Sequence, residues 1–182
     1  MKTGIVISFL IALLCGIPLA IEGGWIIVGI GLSAFLFGYL YTAGSFSLAY
    51  NGLADFFVLF YFGIVAVCGS YYLQTGEFSQ IALLLGLSMG SVNLVLLIVN
   101  NIRDYDNDNR ADKKTLVVKF GLNFGRVEAF LMFALSYICV YYIAVYSANM
   151  LIFFISFLSI PLGLIILYDL FYKKGIDLNR TL

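Results

Sequence analysis

A chain of 182 residues with 63% hydrophobic and 11% charged side chains is far more apolar than a water-soluble domain, as its mean hydropathy of +1.04 also shows. Its formal net charge is zero, so no basic field points to nucleic acid. It contains no histidine, which excludes histidine-ligated zinc and the Ser–His and Cys–His nucleophile pairs.

Six continuous apolar runs, at 5–21, 25–41, 56–73, 81–100, 129–146 and 151–168, predict about six transmembrane helices. The first two are near the short limit for crossing the hydrocarbon core. Continuous apolar length, rather than alternation, makes these helices and not barrel strands. The expected fold is an all-α, polytopic membrane bundle forming one transmembrane domain over 1–182. Lys2 precedes the first run, but no small-x-small site closes it, so it reads as a retained helix and not a removable signal. Tight links at 22–24, 74–77 and 147–149 make successive helices antiparallel. Gly86 and Gly90, four residues apart in the fourth run, predict close helix packing. Cys15, Cys68 and Cys139 each sit in an apolar run and read as small hydrophobes. Tyrosines near the run ends read as an interfacial belt.

The basic residues set the orientation. Lys2, then Arg103, Arg110, Lys113, Lys114, Lys119 and Arg126, then Lys173, Lys174 and Arg180 all fall on one side of the six-span reading. The opposite links carry only Glu22 and Glu77. The positive-inside rule puts both termini and the 100–126 segment in the cytoplasm. The chain is then a multi-pass protein of the cell's inner (cytoplasmic) membrane.

Two loops on that side are polar. One, 42–55, carries Ser45, Ser47, Tyr50 and Asn51. The other, 100–115, reads Asn-Asn-Ile-Arg-Asp-Tyr-Asp-Asn-Asp-Asn-Arg-Ala-Asp-Lys-Lys-Thr. If the fourth span continues through it as a helix, Asn101, Asp104, Asp108 and Asp112 share one face. Asn93 and Asn100 extend polarity down a neighbouring stripe. Stacked carboxylates repel, and a hard cation such as magnesium reverses that sign by bridging carboxylates to phosphate oxygens. Asp106 points elsewhere. Arg103, Arg110, Lys113 and Lys114 alternate with the acids and suit further phosphate oxygens. Two readings stay open on the residues alone: a solvated, orientation-setting loop, or a metal and phosphate site. A calcium loop does not fit, because the sixth position from Asp104 is Asn109 and the twelfth is Thr115.

The pattern Asn100-Asn101-x-Arg103-Asp104-x-x-x-Asp108-x-x-x-Asp112-Lys113-Lys114-Thr115-Leu116, with Lys119-Phe120-Gly121 after it, resembles the second aspartate-rich motif of the UbiA-type intramembrane prenyltransferases. The branch that prenylates dihydroxynaphthoate in menaquinone synthesis is the most similar. Gly38-Tyr39-Leu40-Tyr41-Thr42 and Leu48-Ala49-Tyr50-x-Gly52-Leu53-Ala54-Asp55 resemble that branch's other cytosolic loop. Gly69-Ser70-Tyr71-Tyr72 and the 175–178 tail fit as well. The likeness covers nearly the whole chain.

The resemblance implies transfer of a polyprenyl group from its diphosphate to an aromatic acceptor, 1,4-dihydroxy-2-naphthoate in that branch, within a lipid bilayer. It implies Asp104 and Asp108 as catalytic ligands of magnesium, with Asp112 a further candidate. Asn100, Asn101 and Arg103 would shape the site, Lys113, Lys114 and Lys119 would meet diphosphate, and Tyr50 and Asn51 would frame the mouth. The family has nine spans and two aspartate-rich motifs, and often glycine where this chain has Asp112. This chain matches from near the third family span, with no Asn-Asp-x-x-Asp loop before Ile5. It therefore reads as the carboxyl-side portion of such an enzyme, with a second chain as one source of the other helices. The alternative expectation is a catalytically incomplete fragment or a noncatalytic membrane binding or assembly subunit.

Overall fold

The computed structural model describes residues 2–42, 47–173 and 175–180. Ser45 and Lys174 lie outside the described residues. Every regular element among the described residues is helical. We number them α1 (Lys2–Thr42), α2 (Ala54–Thr75), α3 (Gln80–Arg103), α4 (Tyr105–Arg110), α5 (Leu116–Phe120), α6 (Leu122–Tyr146) and α7 (Leu151–Tyr172). Short 3-10 turns at Leu48–Tyr50 and Gly175–Arg180 complete the set.

Five segments are long and apolar enough to cross a membrane: Thr3–Tyr41, α2, α3, α6 and α7. The sequence predicts six, and the difference lies in α1. Its backbone breaks at Gly24, with φ 62° and ψ −155°, a region open essentially to glycine alone. The rings of Phe9 and Phe35 lie 5.4 Å apart. A straight helix would separate those residues by about 39 Å. α1 is therefore a hairpin of two apolar arms, 2–23 and 25–42. Its turn packs beside Leu73 of α2, so it lies at the same end as the α2–α3 link. That link follows Gly76, which ends α2 in the left-handed region at φ 72° and donates to the Tyr72 carbonyl.

α2 is not uniform. A π-helical stretch, Phe60–Val65, interrupts it. It lies where Gly63 meets α3 so closely that a Cβ would stand 2.5 Å from the Gly86 carbonyl oxygen and 2.6 Å from Gly90 Cα. The packing expected of Gly86 and Gly90 is thus with α2. The Asn93 amide donates to the Phe62 carbonyl at 3.3 Å, inside the π stretch, and the Asn100 amide donates to the Leu96 carbonyl at 3.1 Å. These two side chains are occupied by backbone.

α3 is central and packs on both α2 and α6. Ser79 caps its start by accepting from the Ala82 N–H. The dry core gathers at one end of the bundle: Leu94, Val95, Ile98, Val99 and Ile102 of α3 against Val117, Ala129, Leu170 and Leu178. α6 begins at Leu122, a turn or more before the run that hydropathy marks from 129. Asn123, Arg126 and Glu128 lower the apparent hydropathy there, yet Arg126 is satisfied in place. Its Nε donates to the Leu170 carbonyl at 2.8 Å, relieving a carbonyl in the last turn of α7. Arg126, expected in the loop, is thus helical.

Candidate functional site

The polar end of the bundle is built where α3 stops. Asp104 leaves the helix at φ −93°, ψ 9°, and α4 starts again at once. Asp108 N–H still donates to the Asp104 carbonyl at 2.8 Å, so these acids remain one turn apart, as the sequence predicts. The expected single face does not continue. α4 ends at Arg110, and Asp112 takes a left-handed φ of 51° with 88% of its side chain exposed. The chain turns there because the Lys113 N–H bonds back to the Asp108 carbonyl and the Lys114 N–H crosses to the Tyr50 carbonyl. Asp112 is thereby separated from the Asp104–Asp108 stripe, facing water beside Lys114 at 3.8 Å.

Each of the two remaining acids carries a cation. Arg103 Nε and a terminal guanidinium nitrogen donate to the two oxygens of Asp104 at 2.8 and 2.7 Å, a bidentate pair. Those hydrogen bonds hold the Asp104 carboxyl below the usual carboxylate range, against some desolvation and with help from the charges of Arg103 and Lys113. Lys113 Nζ donates to Asp108 at 2.9 Å, where the carboxylate is largely shielded. Arg103 also reaches Asn179 at 3.4 Å.

The two polar loops are stitched together. The Lys119 Nζ donates to the Asn51 carbonyl at 2.7 Å, while the Asn51 amide donates to the Ser47 carbonyl and Ser47 Oγ to the Tyr41 carbonyl. Gly52, at φ 76°, allows this approach; a Cβ there would stand 2.7 Å from the Lys114 carbonyl oxygen. Thr115 caps α5 through the Val118 N–H. So Tyr50, Asn51, Arg103, Asp104, Asp108, Lys113, Lys114 and Lys119 gather at one end. Asn100 is half-buried a turn below, and Asn101 is buried with an unpartnered amide nitrogen.

The donor set is entirely oxygen, which suits a hard divalent cation. No group of three acids converges as a metal site among the described residues. A cation held here by Asp104 and Asp108 would have to displace the guanidinium and ammonium groups now on them.

Sequence reasoning passed over two acids. Asp55, in the first turn of α2, is 4% exposed with both carboxylate oxygens unpartnered, and Glu128 of α6 buries an unpartnered Oε2. The signal was present: Asp55 closes the quoted loop pattern, and Glu128 is the one acid of α6.

A family model described as the UbiA prenyltransferase family matches residues 2–180. Among curated proteins, the chain is 34% identical over 134 residues to a 1,4-dihydroxy-2-naphthoate octaprenyltransferase of Haemophilus influenzae, covering 74% of this chain and 44% of that one. It is 30% identical to the protein of that name from Bacillus subtilis, covering 85% and 50%. It is 32% identical to that of Escherichia coli, covering 89% and 54%. The chain spans about half the length of the curated relatives it matches. No solved structure matches it.

Proposed function

We propose that this chain, which belongs to the UbiA prenyltransferase family, takes part in transferring a polyprenyl group from polyprenyl diphosphate to an aromatic acceptor, 1,4-dihydroxy-2-naphthoate, for menaquinone synthesis. The observation that carries the reading is the pair of carboxylates one helical turn apart, each neutralised by a cation that suits phosphate. The names of the relatives support the acceptor.

Magnesium, when bound, supplies positive charge to the leaving diphosphate. Asp104 and Asp108 would hold it. Arg103, Lys113, Lys114 and Lys119 take phosphate oxygens, Arg103 in a fork and the lysines as point charges. Asn100 and Asn101 line the floor of this end, and Tyr50 and Asn51 its rim. The carbon–oxygen bond of the prenyl diphosphate breaks with its electron pair leaving on diphosphate, and a ring carbon of the acceptor forms the new bond while the substituent it carried, a proton or the carboxylate as carbon dioxide, departs and leaves its bonding electrons to the ring. The apolar surfaces of the bundle keep water from the allylic carbon and take the prenyl tail. We place the basic end in the cytoplasm and the chain in the inner membrane by the positive-inside rule.

The test is direct. The chain in lipid nanodiscs, given magnesium, polyprenyl diphosphate and 1,4-dihydroxy-2-naphthoate, releases pyrophosphate and forms prenylated product, and binds magnesium pyrophosphate. Absence of both product and pyrophosphate binding would overturn the reading. Binding without product would favour a binding or assembly role.

A further inference from the structure

We propose that residues 47–53 form a positioning loop for Lys119, in which the Asn51 carbonyl and the bare Cα of Gly52 hold the lysine ammonium ready for a phosphate oxygen. This rests on the prenyltransferase reading above and deepens it. Four cations of the polar end have partners of different kinds. Arg103 and Lys113 each sit on a carboxylate. Lys114 lies 3.8 Å from Asp112, and both are exposed. Lys119 forms no ion pair among the described residues. Its Nζ donates instead to the Asn51 carbonyl at 2.7 Å. An ammonium carries three donors, and one carbonyl occupies one of them. Lys119 thus keeps spare donors and an uncompensated charge for an anion, whereas Arg103 and Lys113 must first leave an acid.

The loop is built to keep that carbonyl in place. The Asn51 amide donates to the Ser47 carbonyl at 2.8 Å, and buried Ser47 donates its Oγ to the Tyr41 carbonyl at the end of α1 at 2.6 Å. On the other side, the Tyr50 carbonyl accepts the Lys114 N–H at 2.9 Å. Gly52 is the point of closest approach. A Cβ there would stand 3.0 Å from Lys119 Nζ and 2.7 Å from the Lys114 carbonyl oxygen, a backbone atom that cannot swing aside. Lys114 directly follows the lysine that pairs with Asp108, so the same ties set Lys119 beside the acids. Lys119 is otherwise an exposed side chain in the last turn of α5, on a flexible stem. Held by the loop, it has already given up rotamer freedom that anion binding would otherwise cost.

The experiment is a double-mutant cycle on the chain in lipid nanodiscs, with pyrophosphate binding at saturating magnesium read by calorimetry. Lys119→Met weakens binding about tenfold, the scale of a hydrogen bond to a charged group. Lys119→Arg, which still donates to carbonyl and phosphate together, stays within about threefold of wild type. Asn51→Ala frees the loop from Ser47, and Gly52→Ala forces it off Lys114. Each weakens binding about fivefold alone and less than about twofold in the Lys119→Met background, because residues that act through one another are not additive. A loop that only supports the fold would give the same loss in both backgrounds. That additivity, or undiminished binding in both loop variants, overturns the inference. Asn51→Ala carries the test if Gly52→Ala does not fold. A wild-type chain that binds no magnesium pyrophosphate sinks the prenyltransferase reading and this inference with it. Normal wild-type binding with additive losses sinks only the positioning loop.

Discussion

At the scale of single residues, the acids at the end of α3 act through their partners. Asp104 accepts two hydrogen bonds from Arg103, and Asp108 one from Lys113. Asp104→Asn or Asp108→Asn should lower prenyl transfer about 100-fold or more, the scale seen when one electrostatic stabiliser is lost, far beyond what the accompanying loss of an ion pair takes from the thermal midpoint. Product formation under saturating magnesium checks this. The Arg103 pair also gives a pH dependence. A carboxyl held below its ordinary value stabilises the fold above the unfolded pKa of about 3.9, and that contribution fades as pH falls through the lower folded value. Arg103→Gln should therefore depress the thermal midpoint at about pH 5, with the gap to wild type closing as the pH is taken towards 2. A gap that widens on acidification would contradict the pairing. Asp112 belongs to neither effect, since its carboxylate faces water, and Asp112→Asn should leave both measurements near wild type.

At the scale of elements, two glycines govern how helices meet. Gly63 lies against backbone on α3 and not against yielding side chains, so Gly63→Ala must push α2 and α3 apart or unwind the π turn. A loss of roughly 1–3 kcal/mol is expected from such overpacking, read as a lower thermal midpoint in detergent. Asn93→Leu should cost less, near the ~0.6 kcal/mol typical of hydrogen bonds in membrane bundles. The element pattern was largely legible in the sequence because apolar length alone predicts helices in lipid. The sequence predicts a link over 22–24, and the break takes Gly24 alone, leaving both flanking arms helical. The start of α6 was not legible, because Arg126 looks topogenic until the Leu170 carbonyl is in view. The same limit hid the site's second half. A helix drawn straight through 100–115 puts Asp112 in line, and only the contact between the Lys114 N–H and the Tyr50 carbonyl shows why the chain turns away. Burial of Asp55 depends on helices far away in sequence, so the loop pattern that it closes marks its position but not its burial.

At the scale of the whole molecule, charge and core segregate to one end. Contacts of Lys119 with Asn51, Arg103 with Asn179 and Arg126 with Leu170 bring distant basic residues of the chain to a common level. The Gly24 turn and the link after Gly76 lie at the other. A reporter fused after Thr75 should therefore behave as non-cytoplasmic, and one inserted after Ala111 as cytoplasmic. Identical behaviour at both positions would break the topology. Apolar side chains along α1 and α7 remain broadly exposed, as lipid-facing surfaces are, so the chain should need detergent or lipid to stay dispersed.

The cations already seated on Asp104 and Asp108 have a thermodynamic corollary. If Asp104 and Asp108 hold the metal as proposed, loading would be an exchange of counterions: the acids would give up guanidinium and ammonium for the metal, and the freed groups would turn to the incoming polyanion. Either ion arriving alone leaves one set of charges stranded, whereas arrival together keeps the ledger of charge closed. Magnesium and pyrophosphate should then bind with strong positive linkage, each titrating poorly without the other and steeply in its presence.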